Sequence, residues 1–353
     1  MITKEGKAVI KVPKVDKVSK DMDVFYNPVM KLNRDISVLV LNSIDKEKLK
    51  IADPLAGTGI RTIRFLLELK KSNIDEISMN DYSIKAIKLI KENLKINKIE
   101  KKVEINNKDA NLFLLNSKGF DYIDIDPFGT PNPYLDSASK RISRHGILAV
   151  TATDTSALCG TFPKACLRKY WAKPSRNELM HEIGLRILIR KVQLVAAQYE
   201  KAPTPVFSYS KDHYMRVFFN CEKGKTKVDK VLQQHGHYDN AGPIWLGKLW
   251  DNKLVNNMLK SLLKKQFNKK RKIKEKNKSL TKFLKIIKNE SKIDTIGFYD
   301  IHKLCKRHKI KQIPKKSDLI RKIKKLGYKA AETHFNPEAI KSDIDLKKLL
   351  KLM

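Results

Sequence analysis

Leu49-Lys-Ile-Ala-Asp53-Pro-Leu-Ala-Gly57-Thr-Gly59-Ile-Arg61-Thr-Ile-Arg64 is the stretch on which the fold turns. A short apolar run ends in an acid. A Gly-rich turn follows, then an amphipathic stretch. The order predicts a strand over Leu49–Asp53 and a helix from Ile60 to about Lys71. Glycines let the backbone come close to a ligand, and helix N-terminal N–H groups face it. The pattern is G-x-G without the third glycine of a dinucleotide fingerprint, and Arg61 sits near where a pyrophosphate would lie. A purely structural turn also explains such a motif, so its neighbours must decide.

Working outward, the same rhythm repeats. Strands are predicted at Asp75–Asn80, Val103–Asn106, Phe120–Ile125 and Gly146–Thr151, with a helix at Ser83–Asn97. This βαβαβ alternation implies α/β architecture with a parallel, doubly wound, Rossmann-like sheet. A helix over Asn177–Gln198 follows. Val206–Tyr209 and Tyr214–Asn220 then read as a closing antiparallel pair. A boundary is expected near Asn220, giving a 1–220 α/β domain and a second, basic α+β domain over 221–353. In the latter, Lys253–Lys265, Leu280–Asn289, Asp300–His308 and Ser317–Leu326 carry apolar residues at helical spacing, broken at Gly297, Pro314 and Gly327. The run Lys264–Lys278 is nearly low complexity and reads as a solvated helix face, a linker or an RNA-touching face.

Charge bears on partners. The 353 residues hold 74 Lys plus Arg against 38 Asp plus Glu, a net +36. Residues 251–353 hold 31 Lys/Arg and 10 Asp/Glu, more than half of the excess. Such a balance favours nucleic acid over an anionic membrane surface. Hydrophobic residues at 41% supply a sizeable core, which excludes wholesale disorder. Four scattered cysteines do not make a disulfide framework and suggest a reducing, cytoplasmic setting. The N-terminus shows no apolar signal region, and no apolar run is long enough to span a bilayer. No membrane association and no obligate protein partner are expected.

Three further corners fall at predicted strand ends. Asn80-Asp81 lies 24 residues after Gly57, a separation at which an acid can bind ribose hydroxyls. Lys108-Asp109-Ala110 follows the third strand, where a carboxylate can accept from an adenine amino group. Each Asp alone is also a good N-cap or turn residue. Together with Asp53, Gly57, Gly59 and Arg61 they line one carboxyl edge. That favours an adenosine-bearing ligand without pyrophosphate, which S-adenosylmethionine satisfies. Finally Asp124-Ile-Asp126-Pro127-Phe128-Gly129 brings a carboxylate to the edge of the fourth strand. Methyl transfer to an exocyclic amine needs acceptors for its N–H bonds, because the lone pair is delocalised into the ring. Asp126 and a backbone carbonyl beside Pro127 supply two, the carboxylate or a water takes the proton, and Phe128 can stack on the base. A loop Asp beside a core Phe is the plainer reading of this motif alone. The Asp-Phe-Gly likeness to protein kinases fails because the other kinase motifs are missing.

The residues resemble those of the tRNA (guanine-26, N2)-dimethyltransferases. The resemblance rests on Val24-Phe-Tyr-Asn-Pro with Asn33-Arg34-Asp35, Thr58-Gly-Ile-Arg61, Asn80-Asp81, Asp109-Ala110 and Asp124-Ile-Asp126-Pro-Phe-Gly-Thr-Pro. It continues through Leu158-Cys-Gly-Thr-Phe-Pro-Lys-Ala-Cys-Leu-Arg168-Lys-Tyr170, Tyr209-Ser-Lys-Asp-His213-Tyr-Met-Arg216, Gly242-Pro-Ile-Trp-Leu-Gly247 and Thr333-His-Phe-Asn-Pro. It implies an S-adenosylmethionine-dependent enzyme placing one or two methyl groups on guanine N2 in tRNA. It further implies that Arg34, Arg61, Asp81, Asp109 and Ala110 contact the cofactor and that Asp126, Pro127 and Phe128 hold and shape the base site. Cys159 and Cys166 read as packing residues. Cys221, His235 and His237 lack the paired spacing of a zinc site, so no metal is expected. Arg168, Lys169, Arg176 and Arg186 are candidates for phosphate contacts, and Tyr170 and Trp171 for stacking or core. His213 is a weak candidate base. The residues leave two rivals open: an amino-methyltransferase on another RNA or DNA base, and an RNA-binding protein with a vestigial cofactor site. An oxidoreductase would want the full glycine fingerprint.

Overall fold

The computed structural model describes residues 1–13, 22, 24–70, 72, 74–267 and 278–353. Most of the Lys264–Lys278 run lies outside them. The chain divides into two compact units. The first comprises Met1–Asp154, Val192–Thr204 and Arg216–Gln233, and the second Thr155–Lys191, Pro205–Met215 and Gln234–Met353. The chain passes between the two units several times. The helix Met180–Ala197 and the strands that follow it each contribute part of their length to each unit.

The first unit opens with a hairpin, β1 (Ile2–Glu5) and β2 (Ala8–Lys11), turned at Gly6 with φ +60°. Helix α1 (Lys31–Leu41) follows a short turn at Pro28–Met30 that Asn27 caps. Then come β3 (Leu49–Asp53), α2 (Ile60–Glu68), β4 (Ile74–Asn80), α3 (Ile84–Ile96), β5 (Glu104–Asn106), α4 (Ala110–Leu115), β6 (Phe120–Ile125), α5 (Asn132–Arg141) and β7 (Ile142–Ala152). Strand β7 begins four residues earlier than expected. Its Ser143-Arg-His lead is polar and largely exposed, and a register shift against β6 accommodates it. Helices α6 (Thr155–Leu158), α7 (Pro163–Tyr170) and α8 (Met180–Ala197) precede β8 (Lys201–Lys211) and β9 (Tyr214–Lys223), and α9 (Lys225–Leu232) follows.

The main sheet runs β5-β4-β3-β6-β7-β9-β8. Its first four pairings are parallel. Only two residues link β8 to its neighbour β9, a connection that antiparallel strands alone permit. From β3 the chain moves outward to β4, and from β6 it moves the other way to β7. The order therefore reverses between β3 and β6, and ligands bind at the carboxyl ends flanking such a switch point. Consecutive residues are buried near the carboxyl ends of the central strands, Ile51–Asp53, Ile77–Asn80, Tyr122–Ile125 and Gly146–Ala152, so both faces of the sheet are covered there. Ile51, Ile77, Tyr122, Ile123, Leu148 and Val150 are buried.

In the second unit, β10 (His235–Tyr238) pairs with β11 (Ala241–Trp245). Helices α10 (Asn252–Phe267) and α11 (Lys278–Glu290) follow. A three-stranded sheet of β12 (Tyr299–Asp300), β13 (Ala330–Glu332) and β14 (Ala339–Ser342) is ordered β12-β14-β13. Helices α12 (Ile301–Arg307), α13 (Lys316–Lys325) and α14 (Leu346–Leu352) complete it. Ile301, Leu304, Leu319, Ile323, Ile340 and Leu349 form its core. No helix among the described residues is long and apolar enough to cross a membrane.

Candidate functional site at the sheet edge

The carboxyl edge of the first unit's sheet is held together by a buried side chain. Asn80, the last residue of β4, donates to the carbonyls of Pro54 and Lys108 and accepts from Lys108 N–H, while its own carbonyl accepts from Ala56 N–H. One amide thus joins the loops after β3, β4 and β5. Beside it, Asp81 accepts from Gly57 N–H at 2.8 Å and Ser83 N–H at 2.9 Å. Asp109 caps α4, using only Oδ1 to accept from Asn111 and Leu112 N–H. Its Oδ2 has no hydrogen-bond partner among the described residues. Ala110 is buried at the first position of α4. Tyr134, on the first turn of α5, has its phenol pKa raised by burial and by the charges of Asp109 and Asp81.

Gly57 and Gly59 have φ of +55° and +77°. A Cβ on Gly57 would lie 2.9 Å from the Phe25 carbonyl oxygen, and one on Gly59 3.2 Å from Ile90. At both, the close neighbour is the protein's own chain. Arg61, on the first turn of α2, is turned inward. It donates to Asn33 Oδ1 and Ser37 Oγ, forms an ion pair with Asp126, and lies 3.3 Å from Asp124. A guanidinium engaged in this way is not available to a pyrophosphate.

Asp126 therefore leaves the end of β6 with its carboxylate oriented by Arg61. Phe128 is nearly half exposed, with its ring edge-on to Phe25 at 4.1 Å between centroids. The turn between them is pinned to the end of β7. Gly129 N–H donates to Thr153 Oγ1, and its carbonyl accepts from Thr153 and Asp154 N–H. Nothing lies within 4 Å of a Cβ built on Gly129, so space opens in front of the turn.

Beneath Asp126 lies a buried network. Arg216 of β9 grips both oxygens of Asp124 at 2.9 and 2.7 Å, and also donates to Thr151 and Ser37. Tyr122 donates to Asp124, and Asn33 to Thr151. Burial pushes the Asp124 carboxyl up, but Arg216 and Arg61 outweigh it and its pKa is lowered. Asp53 is the counter-case. It accepts from Thr62 Oγ1, and burial raises its pKa to about 7 against the pull of Arg61. Arg34 is committed elsewhere: it donates to both oxygens of Glu5 at 2.7 and 2.6 Å and to the Asn27 carbonyl.

Eight of the predicted site residues thus share this edge: Gly57, Gly59, Arg61, Asp81, Asp109, Asp126, Pro127 and Phe128. Ala110 and Asp53 support it from below, and Arg34 spends its donors on the N-terminal hairpin. Arg216, Asp124, Tyr122 and Asn80 received no role from the sequence. For Asp124 and Arg216 the signal was a charge set directly between apolar neighbours, Tyr-Ile-Asp124-Ile and Met-Arg216-Val-Phe, with opposite signs. Arg186 is corrected. It is buried in the second unit against Glu182 and the carbonyls of Trp245 and Gly247, so it cannot reach phosphate. His213 is exposed in the two-residue turn of the β8–β9 hairpin. The Cys159 and Cys221 thiols are pushed up by burial to about 11 and about 12. No group of three or more metal-ligating side chains occurs among the described residues.

A mostly parallel sheet with its switch point beside two strand-end carboxylates, and an Asp-Pro-Phe turn next to them, defines a Rossmann-like methyltransferase architecture. The comparisons specify it. The profile of the N2,N2-dimethylguanosine tRNA methyltransferase family matches residues 6–240 and 233–353. The tRNA (guanine(26)-N(2)/guanine(27)-N(2))-dimethyltransferase of Aquifex aeolicus is 41% identical over 100% of this chain and 95% of its own length. The tRNA (guanine(26)-N(2))-dimethyltransferase of Methanocaldococcus jannaschii is 39% identical over 99% of this chain and 98% of its own. The structure of Trm1 from Pyrococcus horikoshii with S-adenosyl-L-methionine matches at TM-score 0.87 and 36% identity, covering 100% of this chain and 99% of that one. The chain belongs to the N2,N2-dimethylguanosine tRNA methyltransferase family.

Proposed function

We propose that this chain transfers one or two methyl groups from S-adenosylmethionine to the exocyclic N2 of guanine 26 in tRNA. The observation that carries the reading is Asp126, held by Arg61 beside the exposed Phe128, on the edge that also presents Asp81 and Asp109. The donor set fits the cofactor. Asp81 suits ribose hydroxyls, and the free Oδ2 of Asp109 suits an adenine amino group. The inward turn of Arg61 leaves no pyrophosphate grip. When bound, S-adenosylmethionine supplies an electrophilic methyl group.

The residues do the rest. The amino N–H bonds of the guanine donate to the Asp126 carboxylate and to the carbonyl before Pro127. That draws the nitrogen out of conjugation and fixes its approach. The proton released goes to the carboxylate or to water beside it. Phe128, braced by Phe25, stacks on the base, which must leave its own stack to arrive there. The first unit acts as the methyl-transfer domain, and the second, basic unit grips tRNA. Such an enzyme works on the cytoplasmic tRNA pool.

The test is a reaction of unmodified tRNA transcript with labelled S-adenosylmethionine, followed by nucleoside mass spectrometry and site mapping. N2-methylated and N2,N2-dimethylated guanosine at position 26 is the expected product. A different methylated base overturns the substrate, and no transfer despite tight tRNA binding overturns the activity. The name of the Aquifex aeolicus relative makes guanine 27 a second reading, and the same map separates the two positions.

A further inference from the structure

The second unit carries an exposed face that the methyl-transfer chemistry does not use. Along and beside α7, Phe162, Leu167 and Trp171 are 60%, 57% and 50% exposed. Lys164 and Arg168 lie on the same exposed side, at the helical spacing 164, 167, 168, 171. Residues 155–177 hold five Lys/Arg and no acid. Large apolar side chains interleaved with cations suit a polyanion that also offers flat aromatic faces. The structure separates the Tyr170-Trp171 pair: Tyr170 is buried, and Trp171 faces solvent.

Trp171 is held in a specific way. It ends α7 in the left-handed region, φ +56° and ψ +38°. Glycine adopts that conformation freely and a bulky side chain does so only under strain. Strain of this kind persists where the surroundings over-determine it, and it clusters at binding sites. The surroundings here are Arg190, which donates to the Trp171 carbonyl, and Lys191, whose ammonium lies 2.9 Å from the ring centroid. Lys191 is itself buried. A cation packed on one face fixes the plane of the indole and leaves half of the residue in water.

We propose that Trp171 is a stacking platform for an unpaired or unstacked nucleotide of the substrate tRNA, with Lys164 and Arg168 on the flanking phosphates. This rests on the tRNA reading above and adds to it a contact made by the second unit. A strained, cation-braced and exposed indole in a strip without acids is poorly explained as core. It is well explained as a surface set in advance for a base.

The full-length chain and an unmodified tRNA transcript test it. Trp171 is the one exposed tryptophan of three, since Trp245 and Trp250 are buried. Titration with tRNA should quench tryptophan emission in the wild type, and the quench should vanish in Trp171→Phe. Trp171→Gly should keep or raise the melting temperature, because the backbone position favours glycine, yet weaken tRNA binding roughly tenfold or more, the range of one lost base stack. Trp171→Phe should stay within a few-fold of wild type, and S-adenosylmethionine affinity should not change in either variant. Bound and methylated tRNA without quenching, or Trp171→Gly binding tRNA within twofold of wild type, overturns the platform. A wild type that neither binds nor methylates tRNA overturns the parent reading instead.

Discussion

Asp126 and Asp53 are both carboxylates at strand ends, yet their surroundings give them opposite work. Asp126 is partly open and ion-paired with Arg61. Asp126→Ala should abolish methyl transfer while leaving tRNA binding largely intact, because the buried Asp124–Arg216 pair beneath it is untouched. Transfer at near wild-type rate would remove Asp126 from the mechanism. Asp53 is fully buried and its pKa is raised to about 7, with burial the main cause. A raised carboxyl pKa contributes stability that is fully present below the unfolded value near 4 and is lost as pH rises through 7. Asp53→Asn keeps an acceptor for Thr62 and cannot ionise. The variant should therefore gain on the wild type in thermal melts as pH rises from 5 to 7, by about 3 kcal/mol at roughly 1.4 per pH unit, and hold that gain to pH 9. Parallel melting curves across that range would show that Asp53 does not titrate there. At this scale the sequence spoke clearly for acids at strand ends. It was silent on partners far along the chain, such as Arg216 for Asp124.

Elements were legible where periodicity and punctuation agreed. β3 and β6 lie where their apolar runs lie, since buried parallel strands need no polar face. The N-terminal hairpin was not legible, because its pairing is completed by side chains of a distant helix. Asn93 of α3 accepts from Lys11 N–H at 2.7 Å and donates to the Lys11 carbonyl, and Asn97 does the same for Val9. Two asparagines one helical turn apart thus act as the missing neighbour strand for β2. Nothing in a helical pattern announces that. Asn93 also donates to the Thr58 carbonyl in the Gly57–Gly59 turn, so the clamp joins hairpin, helix and cofactor loop. Asn93→Ala leaves these backbone groups without partners and should cost about 1–3 kcal/mol. Hydrogen exchange at the Lys11 and Val9 amides should accelerate before global unfolding does. Unchanged protection at both amides would mean that the hairpin holds without the clamp.

Across the whole molecule the charge was the plainest message in the sequence, and the structure shows how the second unit presents it. Helix α13 buries Leu319 and Ile323 and exposes Arg321, Lys322, Lys324 and Lys325. Helix α11 buries Leu280, Leu284 and Ile287 and exposes Lys278, Lys282 and Lys285. An amphipathic helix whose polar face is almost wholly basic gains little from its own charges, which repel one another. Its natural complement is a phosphate backbone, whose condensed counterions are released on contact. A grip on about six to ten phosphates should lose roughly 10³–10⁵ in affinity between 50 and 200 mM salt. Replacing Lys322, Lys324 and Lys325 together by Gln should flatten the slope of log affinity against log salt by about one for each phosphate contact removed. The turnover number and S-adenosylmethionine affinity should be unchanged, because the sheet edge keeps all its residues. An unaltered slope would place the tRNA on another face of the second unit, with α11 the next helix to neutralise. A lowered turnover number at saturating tRNA would mean that α13 also positions the substrate for reaction.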